Sequence, residues 1–224
     1  MLVVDCVKTA GKVDFTDALR PWLDLRALIR ASEGPASSAE LQGTPIQIDK
    51  VEQRQRIVLQ VRSLVVQQEA LAGVTPSIAD VLGTMEKLAR AVPISDMASL
   101  RLDIFSIDPY ELPFHELVAR VKGKLTVPHP FFVGATDISV AVDCQLGDDL
   151  QRHIQIGPMM PAQLNQQFLA FRRDNLPEQF LFVSLGTTIV HSQPFALESL
   201  RDRTEEFEAW ASETASEIAA VVRG

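Results

Sequence analysis

On both sides of a Gly147-Asp148-Asp149 turn, apolar and polar residues alternate, and few folds accommodate such a stretch. Before the turn, Ile138, Val140, Val142 and Cys144 alternate with Asp137, Ser139, Ala141 and Asp143. After it, Leu150, Ile154 and Ile156 alternate with Gln151, His153 and Gln155. Period two is the mark of a strand with one buried face. Both apolar sets reach one core only if the numbers of paired residues sum to an even number, because a one-residue slip turns every side chain over. The loop therefore has an odd number of residues, and 147–149 is the simplest choice. That register puts Val142 opposite Ile154, Val140 opposite Ile156, and Asp143 opposite His153 on the polar side. Arg152 falls on the apolar face near Cys144. A buried arginine normally has a carboxylate partner, here Asp5, a glutamate of the last helix or an acid of another protein. Gly157-Pro158 is expected to end the second strand.

Prolines and glycines punctuate the rest of the chain. A strand is expected over 2–7, then a helix from about Arg20 to Ala31 carrying Trp22, Leu25 and Ile29. Residues 32–39 have loop composition. Strands follow at 45–49 and 56–68, the latter disturbed near Ser63 by a bulge or by two strands meeting there. Thr75-Pro76 opens a helix whose stripe is Ile78, Val81, Leu82, Met85, Leu88, Ala89 and Val92. A strand over 99–106 and a helix from Leu112 to Gly123 lead to Thr126-Val127-Pro128-His129-Pro130, a linker that packs Phe131 and Phe132, with a binding loop around His129 as the alternative. Beyond the hairpin, 160–171 reads as a helix. The run 179–190 reads as a central strand with a bulge at Gly186. Residues 197–222 read as one long helix with Leu200, Thr204, Phe207, Trp210, Ala211, Thr214, Ile218 and Val221 on its dry side.

The fold class expected from this is α+β, a mainly antiparallel sheet with helices packed on one face. Strand, strand, helix, strand, helix occurs once over 45–122 and again over 136–222, so two similar ββαβα halves are one reading of the order. The expected division is an N-terminal lobe at 1–125, a proline-rich linker at 126–135 and a C-terminal lobe at 136–224, with one continuous domain as the alternative.

Charge and motifs exclude several functions. A net charge of −8 lacks the basic footprint of a nucleic-acid binder; Arg120, Lys122 and Lys124 form the one local basic cluster. Cys6 and Cys144 have no disulfide or metal spacing, and no apolar run is long enough to span a membrane, so a cytoplasmic protein is expected. Phosphate-binding glycine loops, a G-x-S-x-G elbow and H-E-x-x-H are absent, and no cofactor is expected. His115, His129, His153 and His191 are scattered.

The sharpest chemical candidate is the polar hairpin face. Asp143 orienting His153 would be general-base equipment, and Asp103, Asp137 and Asp143 are candidate metal ligands for Mg²⁺ or Mn²⁺. That arrangement would suit a metal-dependent phosphoester hydrolase or nuclease. Against it stands an ordinary polar sheet surface. The favoured reading is a non-catalytic binding or scaffold protein that contacts a protein partner or forms a homodimer, with Arg152, Phe207 and Trp210 as candidate partner-binding residues.

Overall fold

The computed structural model describes residues 2–8, 46–59, 63–70, 78–91, 97–190 and 197–224. Its strands are β1 (Leu2–Lys8), β2 (Ile46–Lys50), β3 (Gln55–Leu59), β4 (Ser63–Gln68), β5 (Met97–Pro109), β6 (Val140–Gln145), β7 (Leu150–Met159) and β8 (Phe180–Val190). Its helices are α1 (Ile78–Ala91), α2 (Phe114–Leu125), α3 (Pro161–Gln167) and α4 (Leu197–Arg223). The fold is α+β. The strands form one antiparallel sheet in the order β2-β3-β4-β1-β5-β8-β7-β6. The helix expected near Arg20 and the Thr75-Pro76 cap lie outside the described residues.

Strand alternation divides the sheet into a dry and a wet face. On the dry face Ile57, Leu64, Val66, Leu100, Leu102, Ile156, Leu181, Val183, Leu185 and Ile189 are buried. Three helices cover them. From α1 come Ile78, Val81 and Met85, from α2 Leu117, Val118 and Val121, and from α4 Phe207, Ala211, Ile218 and Val222. These are i, i+3, i+4 spacings, which place the apolar residues of a helix on one side. Each of these burials other than that of Ala211 stabilises by about 1.5–3 kcal/mol. On α4 the inward residue near the end is Val222; Val221, expected inward, is exposed.

The β6–β7 hairpin has the register its alternation requires: Val140 pairs Ile156, Val142 pairs Ile154 and Asp143 pairs His153. Gly147 supplies the left-handed turn residue at φ 114°, and Leu146 N donates to Leu150 O at 2.8 Å. The second strand does not end at Gly157-Pro158. β7 continues beside β8 to Met159, while β6 pairs it only as far as Ile156. Without a neighbour on that side a proline is tolerated. Gly157 is needed instead for proximity, because a Cβ there would lie 2.7 Å from the carbonyl oxygen of Ile138.

Of the two readings of the irregularity near Ser63, two strands meeting is the one found: β3 pairs β4 antiparallel with Leu59 opposite Leu64. Another expectation is corrected. Gly186 makes no bulge: β8 pairs β5 in unbroken register from Val190–Ser99 to Phe180–Pro109. The two halves also differ in arrangement. β1 lies between β4 and β5, whereas β7 and β8 are direct neighbours. In place of a helix over 160–171, α3 stops at Gln167.

The segment after α3 crosses the wet face. Leu164, Phe168 and Leu169 pack with Phe105, Met159, Phe180 and Phe182, forming a second apolar cluster. Phe105 and Phe168 ring centres are 5.5 Å apart, and those of Phe168 and Phe182 are 4.5 Å apart. Further on, the chain is pinned to β3 and β4 by the buried Glu69. Its Oε1 accepts from the backbone N–H groups of Ala170 (2.8 Å) and Phe171 (3.0 Å), and its Oε2 from Arg54 Nη2 (2.7 Å). Arg54 also donates to Phe171 O at 2.7 Å and Arg56 to Ala170 O at 3.1 Å, and Gln67 donates to Phe168 O.

Candidate functional site

Directly opposed residues in adjacent strands share a face. Following the pairing from one edge of the sheet to the other gives a single transverse row on the wet face. It reads Asp143, His153, Gly186, Asp103, Val3, Gln67, Arg56 and Asp49. The topology thus brings Asp103, Asp143 and His153 to one level of the sheet.

Three separate charge pairs involve members of this row, Asp143 with His153, Asp103 with Arg101 and Asp49 with Arg56. His153 Nδ1 lies 2.6 Å from Asp143 Oδ1, so its Nδ1–H donates to the carboxylate, which fixes the ring orientation. Three strands away from Asp143, Asp103 takes a two-pronged contact from Arg101, with Nε to Oδ2 at 2.8 Å and Nη2 to Oδ1 at 3.1 Å. The two arginine–carboxylate partners are i and i+2 on one strand, and so point the same way.

Gly186 makes room for Asp103. A Cβ on Gly186 would stand 2.5 Å from Asp103 Oδ1 and 3.6 Å from His153 Cβ. The carboxylate occupies the space above the glycine and is only 4% exposed. Burial raises its pKa above the ordinary 3.8; Arg101 and the charge of His153 pull it down, and desolvation is the larger effect. At the other end of the row the Asp49 carboxyl is held below its usual value, chiefly by the hydrogen bonds from Arg56 (2.7 and 3.0 Å).

Asp137 stays apart from this row. It lies outside β6, which begins at Val140. Its Oδ1 accepts from the next backbone N–H, that of Ile138, at 2.8 Å. Among the described residues no group of three or more His, Cys, Asp or Glu side chains is placed to hold a metal ion. The Asp143 side chain is 85% exposed and that of His153 34%, so the pair lies on an open surface. Such a pair can exchange a proton with solvent, but nothing around Asp143 excludes water from it.

Arg152, Trp210 and Phe207 meet on the dry face. The guanidinium carbon of Arg152 is 4.4 Å from the Trp210 ring centre, and the Asp5 side chain, one of its expected partners, lies outside the described residues. A cation over an indole face is attracted by the ring quadrupole, and the half-buried stem packs on apolar neighbours. Phe207 is 3% exposed and packs at 5.8 Å, ring to ring, against Trp210. These three residues form part of the seam between α4 and the sheet.

Among the described residues, the most exposed large apolar side chains lie elsewhere, in the segment that proline spacing marks as a linker. α2 runs through Gly123 to Leu125, and Thr126 closes it with Oγ1 donating to Lys122 O at 2.7 Å. A 3₁₀ turn, Pro130–Phe132, follows. Phe132 packs on the core, and its carbonyl oxygen accepts from Lys122 Nζ at 3.1 Å. Phe131 does the opposite. It is 87% exposed, with Val127 at 80% and Val133 at 82%. His129 stiffens the turn: its Nδ1 accepts from Phe131 N at 3.3 Å, and the two rings lie 4.5 Å apart. Between the end of α2 and this turn is an open, mostly apolar groove of about 470 Å³, with Lys122, Pro128 and Phe132 in its walls. In the sequence, Val127 and the run Phe131-Phe132-Val133 flank Pro128-His129-Pro130.

No helix among the described residues is long and apolar enough to cross a membrane. Neither a protein-family model, nor a curated protein, nor a solved structure matches the chain.

Proposed function

We propose that the chain is a non-catalytic binding protein that acts through protein–protein contacts. One observation carries this reading: Val127, Phe131 and Val133 stand together, each at least 80% exposed, on a turn that its own hydrogen bonds hold in shape. Exposed apolar groups that cluster mark interaction sites more often than those scattered singly. A rigid presenting turn also lowers the ordering cost of association. The composition and cysteine usage favour a cytoplasmic setting.

The reading is tested by placing a photoreactive phenylalanine analogue at position 131 and, as a control, at the exposed position 151 on the wet face, in cells producing the protein. Discrete protein adducts at 131 that are missing at 151 are expected. Equal labelling at both positions, or none at 131, overturns the reading. The metal-dependent hydrolase retains one observation in its favour, the 2.6 Å contact between Asp143 and His153. Thermal melts with Mg²⁺, Mn²⁺ or Zn²⁺ separate the two, since an ion that binds only the folded state raises the midpoint. An unchanged midpoint is expected; a rise that Asp143→Ala abolishes would favour the hydrolase.

A further inference from the structure

Charge around the exposed turn runs against that of the whole molecule. The chain carries −8 overall, yet from Leu117 to Thr136 it has no Asp or Glu and holds Arg120, Lys122 and Lys124. Lys122 and Lys124 stand in the last turn of α2, next to the groove. A surface that joins cationic to exposed apolar side chains is selective. Its field draws in a negatively charged partner and the rest of the molecule repels one.

We propose that the groove and turn at 122–133 dock a segment of another protein in which large apolar side chains are flanked by Asp or Glu. This rests on the protein-contact reading above and names the partner's chemistry. The apolar side chains would fill the groove against Pro128 and Phe132 and cover Phe131, while the acids face Lys122 and Lys124. The shape argues for a polymer over a small molecule. A ligand sized to the roughly 470 Å³ groove would leave Phe131 in water, because that ring projects outside the groove walls. A chain segment of several residues covers both. Lys122 is already oriented by its bond to Phe132 O, so one cation is positioned before the partner arrives.

The test uses a phage library of random 12-residue peptides selected on the full chain, then synthetic versions of the enriched peptides measured by fluorescence anisotropy. Enrichment of Phe, Leu or Trp beside Asp or Glu is expected. Affinity should fall at least about tenfold for Lys124→Glu, and also with rising salt, as it does when opposite charges meet at an interface. Phe131→Ser should weaken binding independently of salt. Lys124 is exposed and Phe131 nearly so in full, so both variants keep the fold, which circular dichroism verifies. Enriched peptides that are basic or uncharged, or no enrichment over the Phe131→Ser variant, overturn the proposal. So does binding to vesicles containing phosphatidylserine without binding to peptides, which makes the surface a membrane contact. Concentration-dependent dimerisation that Phe131→Ser abolishes also overturns it and makes the occupant a second copy. If adducts at position 131 persist while acidic peptides fail, protein contact survives and only the partner's chemistry is wrong.

Discussion

Asp103 is a buried carboxylate whose ionisation costs the fold more than Arg101 returns. Its folded-state pKa is raised, so the folded chain holds the proton more tightly than the unfolded chain. The stabilising effect of that proton is complete below the ordinary value of 3.8 and is lost as pH rises through the raised value. Asp103→Asn keeps a carbonyl oxygen for Arg101 and removes the titration. The stability of wild type relative to the variant should therefore fall as pH rises through the raised value, because only wild type loses the proton. Urea denaturation of both proteins as a function of pH measures it; a gain for wild type with rising pH would refute the assignment. Gly186 belongs to the same argument. A methyl group there meets the Asp103 carboxylate at 2.5 Å, so Gly186→Ala should cost about 1–3 kcal/mol. In Asp103→Ser the obstacle is smaller, and the double variant should lose less than the sum of the two singles. Additive losses would mean that the carboxylate does not fill the space above the glycine.

Among the elements, the segment after α3 is held by several side chains, and Glu69 is the most buried of its anchors. Glu69 is 1% exposed and accepts from two backbone N–H groups and from Arg54. Glu69→Ala strands those donors and leaves Arg54 without its carboxylate, a loss of about 3–5 kcal/mol. Hydrogen exchange at Ala170 and Phe171 should accelerate in the variant more than exchange in β8 does. Parity arguments made the β6–β7 hairpin legible residue by residue, because a strand with one wet face admits one register. The same rule flagged the division between β3 and β4 but left it open between a bulge and two meeting strands, because apolar residues run without a clean alternation from Leu64 to Val66. It misjudged Gly186 for a different reason. A glycine that accommodates a side chain from the next strand is indistinguishable, along its own strand, from one that makes a bulge. For the candidate site, the opposition of Asp143 and His153 was readable from the hairpin, and the alignment of Asp103 with them was not. It depends on β5 pairing with β8, residues about eighty positions apart in the chain. The exposed turn was read as a linker because proline spacing reports backbone shape and not whether a ring points inward.

At the scale of the whole molecule, apolar residues that stabilise and apolar residues that merely protrude should separate by experiment. Phe207 is 3% exposed between α4 and the sheet, and Phe207→Ala should cost about 3–5 kcal/mol. Phe131→Ser should change stability by less than about 0.5 kcal/mol, the usual range for surface substitutions. Guanidinium unfolding curves of the two variants measure the contrast, and a large loss for Phe131→Ser would mean that its ring packs inward. The position of β1 has a consequence for how the chain is made. It pairs β4 on one side and β5 on the other, so the sheet cannot close across its middle without it. On the ribosome, residues 2–8 emerge long before their second neighbour at 97–109 exists. At roughly 5–20 residues per second, that early β-ribbon edge is without its second partner for on the order of 5–20 s. Newly made chains are therefore most prone to stick to one another before the fifth strand appears, a hazard set by connectivity and not by the stability of the finished protein.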